Sequence, residues 1–90
     1  MRLVWRAEAR RNFREIIGYI AERNPIAAVA LEDRVVRVTE QLPLTPFMFR
    51  VGRMPGTREA VIHPNYVIVY QVGNDFVRIL TILHARQQYP

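Results

Sequence analysis

The chain has 90 residues, of which 50% are hydrophobic, and it carries a formal net charge of +5 at neutral pH. This length and composition predict one folded domain, residues 1–90, and exclude a disordered chain. No apolar run approaches the roughly 20 residues that cross a bilayer, so we expect no contact with a membrane. Because the sequence contains no cysteine, disulfides and thiolate catalysis are excluded, and a reducing, cytoplasmic compartment is favoured.

The first half of the chain predicts a short strand and two helices. An apolar run at residues 3–5 predicts the strand, and from residue 7 apolar residues recur at the spacing of an amphipathic helix. Asn24 and Pro25 mark the start of a second helix, since Asn caps a helix and Pro suits its first position. Pro43 and Pro46 end it. Because only one or two residues link the helices, we expect an antiparallel hairpin. Each helix has one apolar stripe: Ala9, Phe13, Ile16, Ile17 and Ile20 in the first, and Ala27, Ala30, Leu31, Val35, Val38 and Leu42 in the second.

The second half predicts strands joined by short turns. The last two are apolar at nearly every position, so we expect them in the centre of a sheet. The predicted fold class is α+β: a short N-terminal strand, a two-helix antiparallel hairpin, and then a mainly antiparallel sheet of three to four strands. The predicted strands are residues 47–51, 57–63, 66–72 and 76–83, with a loop at 52–56 and turns at 64–65 and 73–75.

All thirteen basic residues are arginine. A guanidinium keeps its charge and presents a planar fork of donors that suits phosphates and carboxylates. A codon preference for arginine explains the bias equally well, but the physical consequence is the same. The surface predicts an acidic partner, which is either a nucleic acid or an acidic protein segment.

Candidate catalytic residues are few. The chain has no serine and no cysteine, which removes the usual nucleophiles. His63 and His84 are placed on different strands and lack a carboxylate cluster, so we expect no metal site and no cofactor. The basic segment from Arg53 to Arg58 is interpreted either as a solvated turn or as an anion contact.

The C-terminal tail carries the most suggestive residues. His84, Arg86 and Tyr89 follow an apolar strand, and together they could supply a nuclease with an acid, a charge stabiliser and a stacking or proton-handling group. An ordinary frayed terminus explains the same residues. By residue type alone, both interpretations stay open.

The whole chain resembles the RelE/ParE superfamily of bacterial toxins. The order of a strand, a helix hairpin and an antiparallel sheet carries the resemblance, together with short motifs in order and spacing. These motifs are Ala9 with Phe13, Ile16-Ile17 and Tyr19-Ile20; Asn24-Pro25 with Ala27-Ala28; Leu42 with Pro46; Gly52-Arg53; Gly56-Thr57-Arg58-Glu59; Tyr66 to Tyr70; and Ile79-Leu80 running into Leu83-His84-Ala85-Arg86-Gln87.

The resemblance implies a toxin encoded beside an antitoxin whose acidic C-terminal segment wraps and neutralises it. It also implies one of two activities. RelE-like members are ribosome-dependent mRNA endoribonucleases, whereas ParE-like members resemble poisons of DNA gyrase and have no known nuclease activity. A small basic module that binds nucleic acid directly is a further alternative.

Two departures from the RelE-like pattern favour the ParE-like branch. The third predicted strand has Val67 where RelE-like nucleases commonly carry an arginine, and the sequence has no lysine. Arginine remains protonated and cannot transfer protons at neutral pH. We therefore expect no catalytic residues; if the chain is a nuclease, they are His84, Arg86 and Tyr89.

The expected partners are a cognate antitoxin, in a hetero-oligomer of undetermined stoichiometry, and DNA gyrase as the target. The antitoxin is expected to bury apolar side chains over the helix hairpin or against a strand edge. The residues expected to bind the target or the partner are Arg53, Arg58, His84, Arg86 and Gln87.

Overall fold

The computed structural model describes residues 1–89. It is an α+β fold in which two helices pack against one side of a five-stranded sheet. The elements in chain order are β1 (Arg2–Trp5), α1 (Ala7–Ala21), α2 (Pro25–Gln41), β2 (Arg50–Val51), β3 (Arg58–His63), β4 (Tyr66–Val72) and β5 (Phe76–His84).

The two predicted helices are confirmed. Asn24 caps α2 as expected, because its side-chain oxygen accepts a hydrogen bond from the Ala27 amide at 3.1 Å. Trp5 stacks on Phe13 with ring centres 5.7 Å apart, which fixes the end of β1 against α1. The helices bury their apolar stripes against the sheet, in a core formed chiefly by Ala9, Leu31, Val35, Leu42, Ala60, Ile62, Ile68, Tyr70, Val77, Ile79 and Ile82.

The sheet has the strand order β1-β5-β4-β3-β2. The later strands pair antiparallel, and β1 joins them as a parallel neighbour of β5. The sheet therefore has five strands, more than the predicted three to four, because β1 belongs to the same sheet. The prediction that the last two strands are central is confirmed, because β4 and β5 each have a neighbour on both edges.

The predicted strand at residues 47–51 was wrong in its first part. Only Arg50 and Val51 pair with β3. The carbonyls of Phe47 and Phe49 instead accept hydrogen bonds from the Arg58 guanidinium, at 3.3 and 2.8 Å. An apolar run predicts burial in a sheet, but here these backbone acceptors are occupied by a side chain and the segment becomes a loop.

The predicted loop at residues 52–56 is confirmed. It is closed by Thr57, whose hydroxyl donates to the Met54 carbonyl at 2.7 Å and whose carbonyl accepts from the Gly52 amide at 2.8 Å. Gly56 has φ of 78°, a backbone conformation that favours glycine. The loop brings Arg53 next to the start of β3, where it contacts Glu59.

The side of the sheet facing away from the helices is also covered. Side chains alternate along a strand, so Val67 and Val69 point away from the helices while Ile68 and Tyr70 belong to the core beneath them. Both valines are nonetheless buried. We infer that the tail after β5 covers them, because it crosses this side to reach β3. Within residues 1–89, no helix is long and apolar enough to cross a membrane.

Candidate functional site

A buried carboxylate lies at the centre of the candidate site. Glu59 of β3 is 2% exposed, and it pairs across the sheet with Arg50 on one side and Val69 on the other. Its Oε1 atom accepts hydrogen bonds from Nε and Nη2 of Arg50, at 3.1 and 2.8 Å. Its Oε2 atom accepts from the Arg53 amide at 3.0 Å and from Arg53 Nε at 3.2 Å. The carboxylate is therefore both charge-paired and hydrogen-bonded, as a buried charge requires.

The C-terminal tail reaches this carboxylate through Tyr89. The Tyr89 hydroxyl donates to Glu59 Oε2, and the guanidinium carbon of Arg53 lies 4.1 Å from the centre of the Tyr89 ring. The tail leaves β5 with a hydrogen bond from the Ala85 amide to the Asn65 carbonyl at 2.7 Å. Since β3 lies beyond β4, the tail crosses the sheet between these two anchors.

The same contacts set the protonation states at the site. Burial on its own raises the pKa of Glu59, but the hydrogen bonds from Tyr89, the Arg53 amide, Arg50 and the Arg53 side chain lower that pKa from 4.5 to about 2. Burial and the hydrogen bond to Glu59 raise the pKa of Tyr89 above its usual 10.0. At neutral pH, Glu59 is a carboxylate and Tyr89 is a neutral phenol that donates to it.

His84 lies at a different place from Tyr89. It contacts Tyr66 edge-to-face, with ring centres 5.6 Å apart, and its Nδ1 atom accepts a hydrogen bond from the Arg86 amide at 3.2 Å. His84 and Gln87 line a cleft of about 260 Å³ that is shared with α1, which puts His84 on the helix side of the sheet. Glu59 and Tyr89 occupy the opposite side.

The structure therefore separates the predicted site residues into three places. Arg53 joins Tyr89 at the Glu59 carboxylate. His84 ends β5, and Arg86 and Gln87 follow it closely, both exposed. Arg58 lies apart from both groups, and its guanidinium donates hydrogen bonds to two backbone carbonyls of the loop after α2.

Sequence reasoning missed Glu59 as a central residue. It was noted only within a motif, and the acidic residues were expected mainly on helix surfaces. The available signal was a carboxylate at the start of an otherwise apolar strand, with Arg50, Arg53 and Arg58 within nine residues of it. A charged residue in such a position must be paired if it is buried, and three arginines stand close enough in sequence to pair with it.

Comparisons with known proteins agree on one family. Residues 3–89 match the model of the ParE toxin of the type II toxin–antitoxin system parDE. A protein of Sinorhizobium fredii named "Putative toxin Y4kP" is 38% identical over 90 residues, which are 99% of this chain and 93% of that protein. Toxin RelE2 of Caulobacter vibrioides is 32% identical over 83 residues, which are 92% of this chain and 93% of that protein.

The fold agrees with the same assignment. The chromosomal ParDE TA system from P. aeruginosa superposes with a TM-score of 0.80 at 19% identity, and the match covers 93% of this chain and 95% of that one. The match to the family model extends over both helices, nearly the whole sheet and the tail that reaches Glu59. The chain therefore belongs to the ParE toxin family of type II toxin–antitoxin systems, within the RelE/ParE superfamily.

Proposed function

We propose that this chain is a ParE-like toxin that inhibits DNA gyrase by binding, without making or breaking bonds itself, and that a cognate antitoxin neutralises it. The observation that carries this proposal is the separation of His84 from Tyr89. The two residues lie on opposite sides of the sheet, and the Tyr89 hydroxyl is already bound to Glu59.

The separation of these residues supports a binding role over cleavage of RNA. A general acid and a general base must both come within hydrogen-bond reach, roughly 2.6–3.2 Å, of the groups around one phosphate. The imidazole of His84 faces the cleft beside α1, whereas Tyr89 faces Arg53 and Glu59. Arg86 is close to His84 in sequence, and a guanidinium offers donors for a phosphate but no acceptor for a proton relay.

The arginine-rich surface supports a binding role. The chain has a net charge of +5, and the exposed side chains of Arg86 and Gln87 stand beside His84 at the end of the sheet. Such a group can bind carboxylates or phosphates of a large partner and hold them in register. Arg86, Gln87 and His84 are therefore proposed as contacts to the target.

An antitoxin partner is supported by the outer side of α2. Ile26 and Val29 are 83% and 66% exposed, and Val36 follows at helical spacing with 39% exposed. An apolar stripe of this kind suits a partner helix, and the similar P. aeruginosa structure is a ParDE TA system. Acidic residues of the antitoxin would meet the arginines and speed association. Co-expression of the antitoxin should restore growth to cells that make the toxin.

Two assays on the purified protein test the proposed activity. We expect inhibition of DNA supercoiling by gyrase and no cleavage of mRNA on programmed ribosomes. Arg86→Ala should weaken the inhibition at least about tenfold if Arg86 binds the target, since paired charges at an interface commonly contribute that much. Arg10→Ala, which removes an exposed arginine from α1, is the control and should inhibit as the wild type does.

The relative named RelE2 makes the endoribonuclease the second candidate function. The ribosome assay decides between the two. Cleavage of mRNA in the ribosomal A site, abolished by His84→Ala, would establish the endoribonuclease and refute the binding mechanism.

A further inference from the structure

The loop between α2 and β2 is held in place by side chains of the sheet. The Tyr70 hydroxyl donates to the Pro46 carbonyl at 2.7 Å, and Arg58 Nη1 donates to the carbonyls of Phe47 and Phe49. The Phe49 ring contacts Tyr70 edge-to-face with centres 6.5 Å apart. The backbone of this loop is therefore preorganised.

This fixed loop turns large apolar side chains towards solvent. Phe47, Met48 and Val51 are 64%, 57% and 72% exposed. A cleft of about 230 Å³ lies between Phe47 and Val51, and we refer to it as the anchor cleft; it is lined by Phe47, Val51, Gly56, Thr57, Arg58 and Val72. Sites for small molecules are larger, at roughly 300–1,000 Å³. The anchor cleft has the size for a side chain of a protein partner.

The charge around the anchor cleft is positive. Arg58 stacks over the Phe47 ring at 4.9 Å, and its Nε and Nη2 groups have no hydrogen-bond partner within residues 1–89. Of the residues that line the cleft, Arg58 is the charged one. The rim of the cleft can therefore accept a carboxylate from outside.

We propose that the anchor cleft is a second surface, separate from Arg86, Gln87 and His84, through which this toxin holds its target protein. An apolar side chain of the target enters between Phe47 and Val51, and a neighbouring carboxylate of the target accepts hydrogen bonds from Arg58. Arginine and aromatic residues dominate the energetics of such contacts, and a preorganised loop loses little entropy on binding. This inference rests on the proposed function in one respect, namely that the toxin acts by binding a protein.

The position of the cleft favours the target over the antitoxin as its occupant. A permanent neutralising partner needs a large apolar interface, and the stripe of Ile26, Val29 and Val36 on α2 offers more apolar surface than the cleft. Ile26 is at the start of α2 and the anchor cleft lies beyond its end. A helix of 17 residues spans about 25 Å, so a partner bound at Ile26 and Val29 can leave the anchor cleft free.

A pair of substitutions at one exposed residue tests the proposal. Val51 lies directly opposite Arg58 in the pairing of β2 with β3. In Val51→Glu, the new carboxylate can pair with Arg58 and so compete with the carboxylate of the target. Val51→Gln introduces a side chain of the same shape without the charge. We expect Val51→Glu to inhibit growth and gyrase at least about tenfold more weakly than Val51→Gln, because both variants lose the apolar wall of the cleft and only Val51→Glu also occupies Arg58.

Three further measurements make the result decisive. Thermal unfolding checks that both variants fold, and both should co-purify with the antitoxin as the wild type does. Ile26→Glu, at the remote end of α2, should retain gyrase inhibition. The proposal is overturned if Val51→Glu inhibits growth fully, if both variants lose activity equally, or if Val51→Glu loses the antitoxin. If the wild type arrests growth without affecting gyrase, the proposed function is refuted but the cleft proposal is not. The difference in growth between the two Val51 variants still tests the cleft.

Discussion

Glu59 shows how a single residue organises the far side of this sheet. Its carboxylate accepts hydrogen bonds from two arginine side chains, one backbone amide and the Tyr89 hydroxyl. These donors come from β2, from the loop that follows it and from the C-terminal tail. Burial of a charge is costly unless it is fully paired, so the three segments are fixed together by the requirement to satisfy one side chain.

The first prediction concerns the pH dependence of stability. The pKa of Glu59 is lowered from 4.5 to about 2 in the folded chain. Its stabilising contribution is therefore complete above the unfolded pKa and is lost as the pH falls from about 4.5 to about 2. The full lowering corresponds to roughly 3 kcal/mol at neutral pH. We expect the free energy of unfolding of Glu59→Gln to fall less steeply than that of the wild type in this range.

Urea unfolding at several pH values between 7 and 2 measures this difference. Glu40→Gln, on the exposed side of α2, is the control for the loss of one negative charge. If Glu59→Gln and the wild type lose stability in parallel across the range, Glu59 is not held as a paired carboxylate.

The second prediction isolates the tail contact. Tyr89→Phe removes the hydroxyl that donates to Glu59 but leaves the two arginines in place. We expect a loss of about 1.5 kcal/mol, the lower end for hydrogen bonds to charged groups, because the Tyr89 ring is partly exposed. Hydrogen exchange should accelerate at the Ala85 amide, which bonds to the Asn65 carbonyl. Unchanged exchange at Ala85 would show that Tyr89 does not hold the tail.

At the scale of elements, the third prediction concerns the start of α2. The Asn24 side chain caps α2 by accepting a hydrogen bond from the Ala27 amide. Asn24→Ala should cost about 1 kcal/mol, within the range measured for N-caps. Chemical denaturation gives the value, and Asn74→Ala, in the turn between β4 and β5, is the control. An equal loss from both substitutions would mean that the cap contributes nothing specific.

The elements that the sequence predicted well are those with a regular apolar period. Both helices follow from helical spacing, and β4 with its bounds and nearly the whole of β3 and β5 follow from short apolar runs between turn residues. The loop at residues 43–49 could not be predicted in this way. Its form depends on Arg58 and Tyr70, which lie 9 to 24 residues away from their carbonyl partners, and a local pattern contains no information about such contacts.

The candidate site was predicted less well for the same reason. Tyr89 and Arg53 were both identified, but as members of different groups, because the residue that joins them was not. Glu59 and Tyr89 are 30 residues apart, and their contact depends on the tail turning back over the sheet. The grouping of His84 with Tyr89 followed closeness in sequence, whereas the sheet places them on opposite sides.

At the scale of the whole molecule, helices cover one side of the sheet, and we infer that the short C-terminal tail covers the other. Val67, Val69 and Ile68 are each at most 1% exposed, although only Ile68 faces the helices. A domain of this size has roughly 5–15 kcal/mol of stability in total. We therefore expect the few residues of the tail to contribute a large share of it.

The fourth prediction removes this cover. A chain that ends after Ala85 exposes Val67 and Val69 and leaves Glu59 without Tyr89. We expect a loss of about 3–5 kcal/mol, from apolar surface exposed to water and the missing hydrogen bond. Chemical denaturation and binding of a hydrophobic dye measure the two effects. The full-length double variant Arg86→Ala, Gln87→Ala is the control, since both side chains are exposed and changes there usually alter stability by at most about 0.5 kcal/mol. A truncated chain as stable as this control would show that another segment covers the valines. The role of the tail would then be limited to contacts with the target.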